Sequence, residues 1–200
     1  SIVRNIPIIL MLLSMGSIAE QSSQNSMGRV RILMSRPVDI SYAKGTKDRW
    51  FCALSEEFIR FRLESFKEIA IAPYNVIRTT IPLYSNIDKE IATSEYAEAA
   101  RKLRCAYIVN QKYEFTDNGK TVQYYAEVVS ASSNGVVASL EKSFPVEQLS
   151  MHLDSAVLKV ASTVKAEVSK KLERFFRLPV VGSDPKSIRE LGEILLLQRF

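Results

Sequence analysis

The stretch CAYIVNQKYEFTDNGKTVQYYAEVVSASSNGVVASLEKSF, residues 105–144, decides the fold of this chain. Two Asn-Gly pairs, Asn118-Gly119 and Asn134-Gly135, divide it into three runs that are rich in β-branched and aromatic residues. Asn-Gly between such runs is typical of a β-hairpin, because both residues tolerate the positive φ angles that tight hairpin turns require. The stretch therefore predicts a meander of three consecutive antiparallel strands.

A long amphipathic helix is predicted directly after the meander. Apolar residues recur at steps of three or four from Leu149 to about Phe176, which places them on one face of a helix. Steps of four outnumber steps of three, so the pattern favours a helix lying on the sheet over the alternative, a dimerising coiled coil. The apolar positions are Leu149, Leu153, Val157, Val160, Val164, Val168, Leu172 and Phe175.

The residues before the meander predict two helices and two or more strands. RVRILM at 29–34 and IAIA at 69–72 are β-rich, and residues 74–81 continue in an extended, β-branched style. Helical spacing of apolar residues covers 47–66, which carries an aromatic stripe, and 90–103. The predicted fold class is α/β (α+β): a mixed sheet of about five strands, in the order β-α-β-α-β-β-β-α, with the long C-terminal helix packed on the sheet.

The N-terminal residues have the pattern of a secretory signal peptide. Arg4 precedes the uncharged apolar run IPIILMLLSM at 6–15, and small residues lead to a predicted cleavage between Ala19 and Glu20. The alternative is an uncleaved membrane anchor, but the run has about half of the roughly twenty apolar residues that a span needs. The pattern therefore favours export and removal of residues 1–19.

The rest of the chain is expected to form one domain with short flanking segments. We expect a polar linker at 20–28 and the α/β domain at 29–177. LPVVGSDP then interrupts the helical pattern within a second linker, 178–187. Residues 188–200 are expected to be the start of a further helical element.

The charge distribution argues against a nucleic-acid-binding protein. The formal net charge is +5, but the 27 basic residues are scattered among 22 acidic ones. The segment EEFIRFRLE at 56–64 is an example, and we interpret it as a solvated helix face rather than as a basic stripe. The tyrosines of the predicted strands also lack the interleaved basic residues of a nucleic-acid-binding sheet.

No catalytic, cofactor or metal site is predicted. His152, the single histidine, has no partner at metal-ligand spacing. Asp154 and Ser155 adjoin it on one helix, where the three side chains cannot assemble around a substrate. The sequence also lacks a P-loop, G-x-G-x-x-G and G-x-S-x-G. The prediction is a protein that is not an enzyme.

The two cysteines, Cys52 and Cys105, allow two interpretations. In an oxidising compartment they could form a disulfide, provided that their Cα atoms lie within about 7 Å. Each lies in an apolar segment, however, and free cysteine is among the most buried residue types. The composition favours two core thiols and leaves the disulfide as the alternative.

Two segments resemble the amino-terminal domain of TolB and its relatives. AARKLRCAYIV at 99–109 resembles the family's a-x-L-g-a-x-y-v-l segment, and VVSASSNGVV at 128–137 resembles its l-v-d-a-x-T-G-x-v pattern. Similar domains occur in flagellar outer-membrane assembly lipoproteins and ahead of tetratricopeptide repeats in envelope proteins. The resemblance, which covers about 29–176, implies a non-catalytic α/β module of the cell envelope that binds other proteins.

The first functional hypothesis is therefore a periplasmic or envelope-associated module for protein interaction or assembly. Its partners would be other envelope proteins, with no nucleic acid, and with membrane contact only through an uncleaved N-terminal segment. Its contact surfaces would be the outer face of the meander, the outer face of the long helix, and the turns at Asn118-Gly119 and Asn134-Gly135. The sequence leaves the oligomeric state open.

The second hypothesis is a small-ligand sensor domain. It would use a pocket beneath the aromatic helix, near Trp50, Phe51 and Tyr74. An apolar pocket there would favour the sensor, whereas an unpaired sheet edge or an exposed apolar patch would favour the interaction module.

Overall fold

A computed structural model describes residues 28–40, 48–166 and 183–199. The predicted signal peptide, its cleavage site at Ala19 and Glu20, and all but the last residue of the linker 20–28 lie outside the described residues. Residues 167–182, which include the end of the predicted long helix and the start of the second linker, also lie outside them.

Six strands form one mixed sheet. They are β1 Val30–Met34, β2 Val38–Asp39, β3 Ile69–Ile71, β4 Tyr107–Thr116, β5 Thr121–Ser130 and β6 Val136–Pro145. The order is β3-β1-β4-β5-β6, and β2 pairs with β4. β1 runs parallel to β3 and β4, whereas β4, β5 and β6 form the predicted antiparallel meander. The predicted fold class is confirmed.

The helices pack on both faces of the sheet. They are α1 Trp50–Leu63, α2 Tyr74–Thr80, α3 Thr93–Lys102, α4 Leu149–Thr163 and α5 Pro185–Arg199. α1, α4 and α5 share one buried cluster, and α2 and α3 belong to another. No helix in the described ranges has both the length and the apolar character needed to cross a bilayer.

The central strand β1 separates these two clusters. Ile32 and Met34 face α1, whereas Leu33 lies in the cluster that contains α2 and α3. All three side chains are fully buried. Successive side chains of a strand point to opposite faces, so β1 needs apolar residues at every position where both faces are covered.

The extended structure predicted for 74–81 is wrong, because α2 is helical. Pro73 has an extended ψ of 149° and begins the helix, and its carbonyl accepts the Ile77 N–H at 3.0 Å. The hydroxyls of Thr79 and Thr80 donate to the Val76 carbonyl at 2.9 and 2.8 Å. Threonine favours strands by propensity. Here, however, the two hydroxyls bond to a carbonyl of the helix itself.

The uninterrupted helix predicted from Leu149 to about Phe176 is also wrong. α4 ends at Thr163, and Lys165 takes a positive φ of 57°. The Ala166 N–H donates to the Ala161 carbonyl at 2.9 Å, a bond typical of a helix that ends in a left-handed residue. The apolar periodicity continues past this point, and it therefore concealed the end of the helix.

The last helix, α5, begins at Pro185, three residues before the predicted start. Asp184 caps it, because its carboxylate accepts the Ser187 N–H at 3.0 Å. α5 packs closely on α1 at Gly192, where a Cβ atom would lie 2.7 Å from the Trp50 carbonyl oxygen. Within the described residues, α5 thus shares the core of the domain predicted at 29–177.

Candidate interaction surface

β6 forms one edge of the sheet. It has ten residues, and it pairs with β5 along one side. Within the described residues, no strand pairs with its other side. Val136 and Val137, at its start, are 56% and 50% exposed. A long strand with one unpaired side presents a row of backbone donors and acceptors to a partner.

The register of the hairpin shows which backbone groups of β6 point outward. The Val146 N–H donates to the Lys120 carbonyl at 3.0 Å, and the pairing of Lys142 with Tyr124 continues the same register. Paired residues in an antiparallel ladder alternate between those that exchange hydrogen bonds and those whose N–H and C=O point away. From Ala138 to Phe144 the even-numbered residues of β6 therefore bond to β5, and Ser139, Glu141 and Ser143 direct their N–H and C=O groups outward.

The two faces of β6 differ in their surroundings. Phe144 is buried under α4, where its ring stacks on His152 with centroids 4.6 Å apart. Because side chains alternate, Lys142 and Leu140 share this helix side. Ser139, Glu141 and Ser143 lie on the opposite side, which we call the open face.

The open face is the outer face of the meander that the sequence analysis predicted as a contact surface. α2 and α3 cover only the part of this face near the start of β4 and the end of β5, where Ile108 and Val129 are buried. Further out the side chains are polar, and the Gln123 amide donates to the Ser143 hydroxyl at 2.8 Å. This part of the face is thus open to solvent.

The two Asn-Gly turns are exposed, as expected for hairpin turns. Asn118 and Asn134 have φ angles of 55° and 56°, and Gly119 has a φ of 82°. The turns lie at opposite ends of β5, whose ten residues span about 33 Å. The structure therefore does not bring Asn118-Gly119 and Asn134-Gly135 together, and their contact role stays a prediction.

Cys52 and Cys105 are two core thiols in this structure, which is the favoured interpretation, and they do not form the alternative disulfide. Both thiols are buried, and they are not joined to each other. Cys52 lies in the cluster around α1, and Cys105 lies in the cluster on the other face of the sheet, so the sheet separates them. Burial raises the pKa of the Cys105 thiol to about 11, which makes it an unreactive core residue.

The residues proposed for a ligand pocket do not line a common cavity. The ring of Phe51 packs against those of Tyr113 and Phe115, with centroids 4.7 and 5.7 Å away. Tyr74 packs with the cluster on the other face of the sheet. Trp50 borders a cavity of about 300 Å³, which is also lined by charged side chains: Asp48, Lys120, Glu147, Lys186 and Arg189.

A second cavity of about 450 Å³ lies at the opposite end of the sheet. It is lined by Arg101, Arg104, the end of β5 and the neighbouring Ser132. Arg101 is in the last turn of α3, where a basic side chain complements the helix dipole. Neither cavity is lined by Trp50, Phe51 and Tyr74 together, as was predicted for a sensor.

The interpretation of 56–64 as a solvated face is wrong, because several of its charged side chains are buried. Glu56 and Arg62 are 0% exposed. Arg62 forms an ion pair with Asp154 of α4: its Nη2 donates to Oδ2 at 3.1 Å, and its Nε lies 2.9 Å from Oδ1. α1 is buried on more than one side because it contacts the sheet, α4 and α5. This ion pair connects the two helices that cover β4 to β6.

Burial perturbs the carboxyl groups of these helices. Desolvation raises the pKa of Asp154 to about 6, although Arg62 acts in the opposite direction. Desolvation also raises the pKa of Glu57 to about 7, against the effect of Arg60 and with that of Glu56.

A second set of buried polar contacts joins α1 to the loop after α2. The Tyr84 hydroxyl donates to Glu56 Oε1 at 2.6 Å, and Arg60 Nη2 lies 3.6 Å from the same oxygen. The Arg36 guanidinium donates to the carbonyls of Tyr84 at 3.1 Å and Asn86 at 2.7 Å. The sequence offered one signal, the Glu56 and Arg60 pair spaced for one helix face, but it did not indicate that this face is buried.

His152 has a packing role in this structure. Besides stacking on Phe144, its Nε2 lies 3.3 Å from Gln148 Oε1. Burial, together with the charge of Lys142, lowers the pKa of its ring. Among the described residues, no group of three or more His, Cys, Asp or Glu side chains has the arrangement of a metal site.

Comparison with protein-family models and with curated proteins finds no match. Among solved structures, the chain is similar to the C-terminal domain of LpoB from Escherichia coli, with 11% identity, a TM-score of 0.48, and 65% of this chain and 94% of that chain covered. It is also similar to the PelC dodecamer from Paraburkholderia phytofirmans, with 17% identity, a TM-score of 0.45, and coverages of 70% and 89%. Lipoprotein GNA1162 from Neisseria meningitidis has 14% identity, a TM-score of 0.39, and coverages of 66% and 96%. These distant likenesses do not assign the chain to a family.

Proposed function

We propose that this chain is an exported, envelope-associated protein-interaction module without catalytic activity. It binds its partner by strand addition, in which an extended segment of the partner pairs with the outer side of β6. The observation that carries the proposal is the ten-residue edge of β6, whose outer side pairs with no strand in the described part of the chain.

Two backbone features that commonly block an edge, a proline and a register irregularity, lie at the ends of β6 rather than in its middle. Pro145 lacks a backbone N–H and ends the strand, and a register irregularity at Val128 and Val129 marks its start. The outward groups of Ser139, Glu141 and Ser143 lie between these two features. In strand addition, such main-chain groups provide affinity and the neighbouring side chains provide specificity.

The export part of the proposal rests on the signal-peptide pattern at 1–19. Expression of the full chain should yield a periplasmic product whose intact mass is that of a chain beginning at Glu20. A product that keeps residues 1–19 would contradict cleavage after Ala19.

The packing of Phe51 supports the interaction module over the small-ligand sensor. Its ring fills the space beneath α1 with the rings of Tyr113 and Phe115, where the sensor would need a cavity. The cavity that Trp50 borders is lined by neither Phe51 nor Tyr74, so it is not the pocket that the sensor hypothesis requires.

Replacing Ser139 by proline tests strand addition. Proline removes the outward N–H and leaves the bonds to β5 in place, because proline is tolerated where an edge N–H faces solvent. We expect Ser139→Pro to lower the amount of partner captured from an envelope extract of the source cell by about tenfold relative to wild type. Ser139→Thr, which keeps the N–H, should capture the same protein as wild type.

Thermal unfolding of each variant shows whether the fold is retained. Ser143→Pro is a second variant with the same outward position, for use if Ser139→Pro is unstable. Equal capture by wild type and a folded proline variant would contradict binding at this edge.

A further inference from the structure

We infer that the strand that adds to β6 carries acidic side chains toward α4 and basic side chains toward the open face. This inference rests on the proposed function, and it names the chemistry of the partner. It follows from opposite charges on the two sides of the β6 edge.

The helix side of the edge is basic. Lys142 is on this side of β6, next to His152, whose pKa it lowers. Lys159 is two turns beyond His152 on the same side of α4, about 10 Å further along the helix. Lys159 is exposed, so a strand added to β6 would lie beside both ammonium groups.

The open face of the edge is acidic. Glu141 is exposed on β6, and Glu127 lies on β5 at the diagonal position, paired with Ser139. Diagonal neighbours on one face of an antiparallel pair are about 7 to 8 Å apart. The nearest basic side chain on this face of the meander, Lys112, is on β4, two strands in from the edge.

These charges are available to a partner. Within the described ranges, Lys142, Lys159, Glu127 and Glu141 form no ion pair, whereas other surface charges such as Lys102 do. Opposite charges that face each other on neighbouring strands stabilise pairing, and like charges oppose it. An incoming strand with alternating acidic and basic side chains would match both sides, because its side chains alternate with the same period.

The same charges argue against a second copy of this chain as the occupant. A symmetric dimer through β6 pairs the two strands antiparallel, with outward residues opposite outward residues and equivalent faces aligned. Lys142 and Lys159 of both copies would then lie on one side, and Glu127 and Glu141 of both copies on the other. A dimer would therefore bring like charges together on each face.

Synthetic ten-residue peptides of defined pattern test the inference. Four peptides alternate Glu with Lys, Glu with Thr, Lys with Thr, and Val with Thr, and their binding to the purified chain is measured by titration. We expect the Glu/Lys peptide to bind about tenfold more tightly than the Val/Thr peptide at low salt, and the difference to shrink at about 0.5 M salt.

Charge-reversal variants show which side of the added strand each charge of the protein contacts. Lys142→Glu should weaken binding of the Glu/Thr peptide by about tenfold, and Glu141→Lys should do the same for the Lys/Thr peptide. The matched control is Lys67→Glu, whose side chain is exposed beside β3 at the other edge of the sheet. It should leave the binding of every peptide unchanged.

The outcomes separate this inference from the proposed function. If all peptides bind equally and Ser139→Pro abolishes their binding, the edge is an interaction site but the charge pattern is wrong. If no peptide binds, or if Ser139→Pro has no effect on binding, both are wrong. A dimer that Ser139→Pro dissociates would identify a second copy as the occupant and overturn the inference.

Discussion

Replacing Asp154 by alanine is expected to lower the free energy of unfolding by about 3 to 5 kcal/mol at pH 7. Arg62, its partner, is 0% exposed, and the substitution leaves the guanidinium buried without its carboxylate. The cost of an uncompensated buried charge is larger than the net contribution of the pair itself. Urea unfolding followed by circular dichroism measures the change.

The double variant Arg62→Met/Asp154→Leu is the control for this prediction. It removes both charges and replaces them with apolar side chains, so we expect a stability within about 1 kcal/mol of wild type, or higher. If Asp154→Ala alone costs less than about 1 kcal/mol, Arg62 reaches solvent and the buried ion pair is not as the structure describes it.

Replacing Tyr84 by phenylalanine is expected to lower the free energy of unfolding by about 2 to 3 kcal/mol. The Tyr84 hydroxyl donates to Glu56 at 2.6 Å, and both side chains are 0% exposed. Desolvation and the neighbouring Glu56 raise the pKa of Tyr84 well above its usual value, so the phenol keeps the proton that it donates. Phenylalanine keeps the ring contacts and removes this bond to a buried acid, together with the longer contact of the hydroxyl to the Met34 carbonyl at 3.4 Å.

Tyr96→Phe is the matched control for Tyr84→Phe. The Tyr96 hydroxyl accepts the Arg36 backbone N–H at 3.2 Å, which is a longer bond to an uncharged donor. Its loss should cost about 1 kcal/mol. Equal costs for the two substitutions would mean that the Tyr84 hydroxyl has no special role in satisfying Glu56.

Local signals were sufficient to predict the meander and insufficient to predict α2. Asn118 and Asn134 fix hairpin turns through their own backbone preferences, so the strands on either side could be read from neighbouring residues. In α2, the β-branched residues favour a strand by propensity, but Pro73 and the threonine hydroxyls allow a helix that buries Ile77. Tertiary burial decided between the two.

The buried charges of α1 could not be predicted, because their partners are distant in sequence. Asp154 is 92 residues from Arg62, and Tyr84 is 28 residues from Glu56. A helix with charged residues on several sides is normally solvated, but here Arg62 pairs with α4 and Glu56 bonds to Tyr84 in the loop after α2.

The sequence predicted β6 as a strand without predicting that it is an edge. The sheet order decides this point, since β1 pairs with β4 and not with β6. Either outer strand of the meander could have joined the parallel part of the sheet. The interaction surface therefore became apparent only with the topology.

Amide hydrogen exchange along β6 in the isolated chain tests the central claim most directly. The N–H groups of Leu140 and Lys142 bond to β5 and should exchange slowly, whereas those of Ser139, Glu141 and Ser143 face outward and should exchange fast. This alternation would show that the edge is free to receive a partner strand. Uniform slow exchange along β6 would show that the outer side is already paired, and would contradict the account.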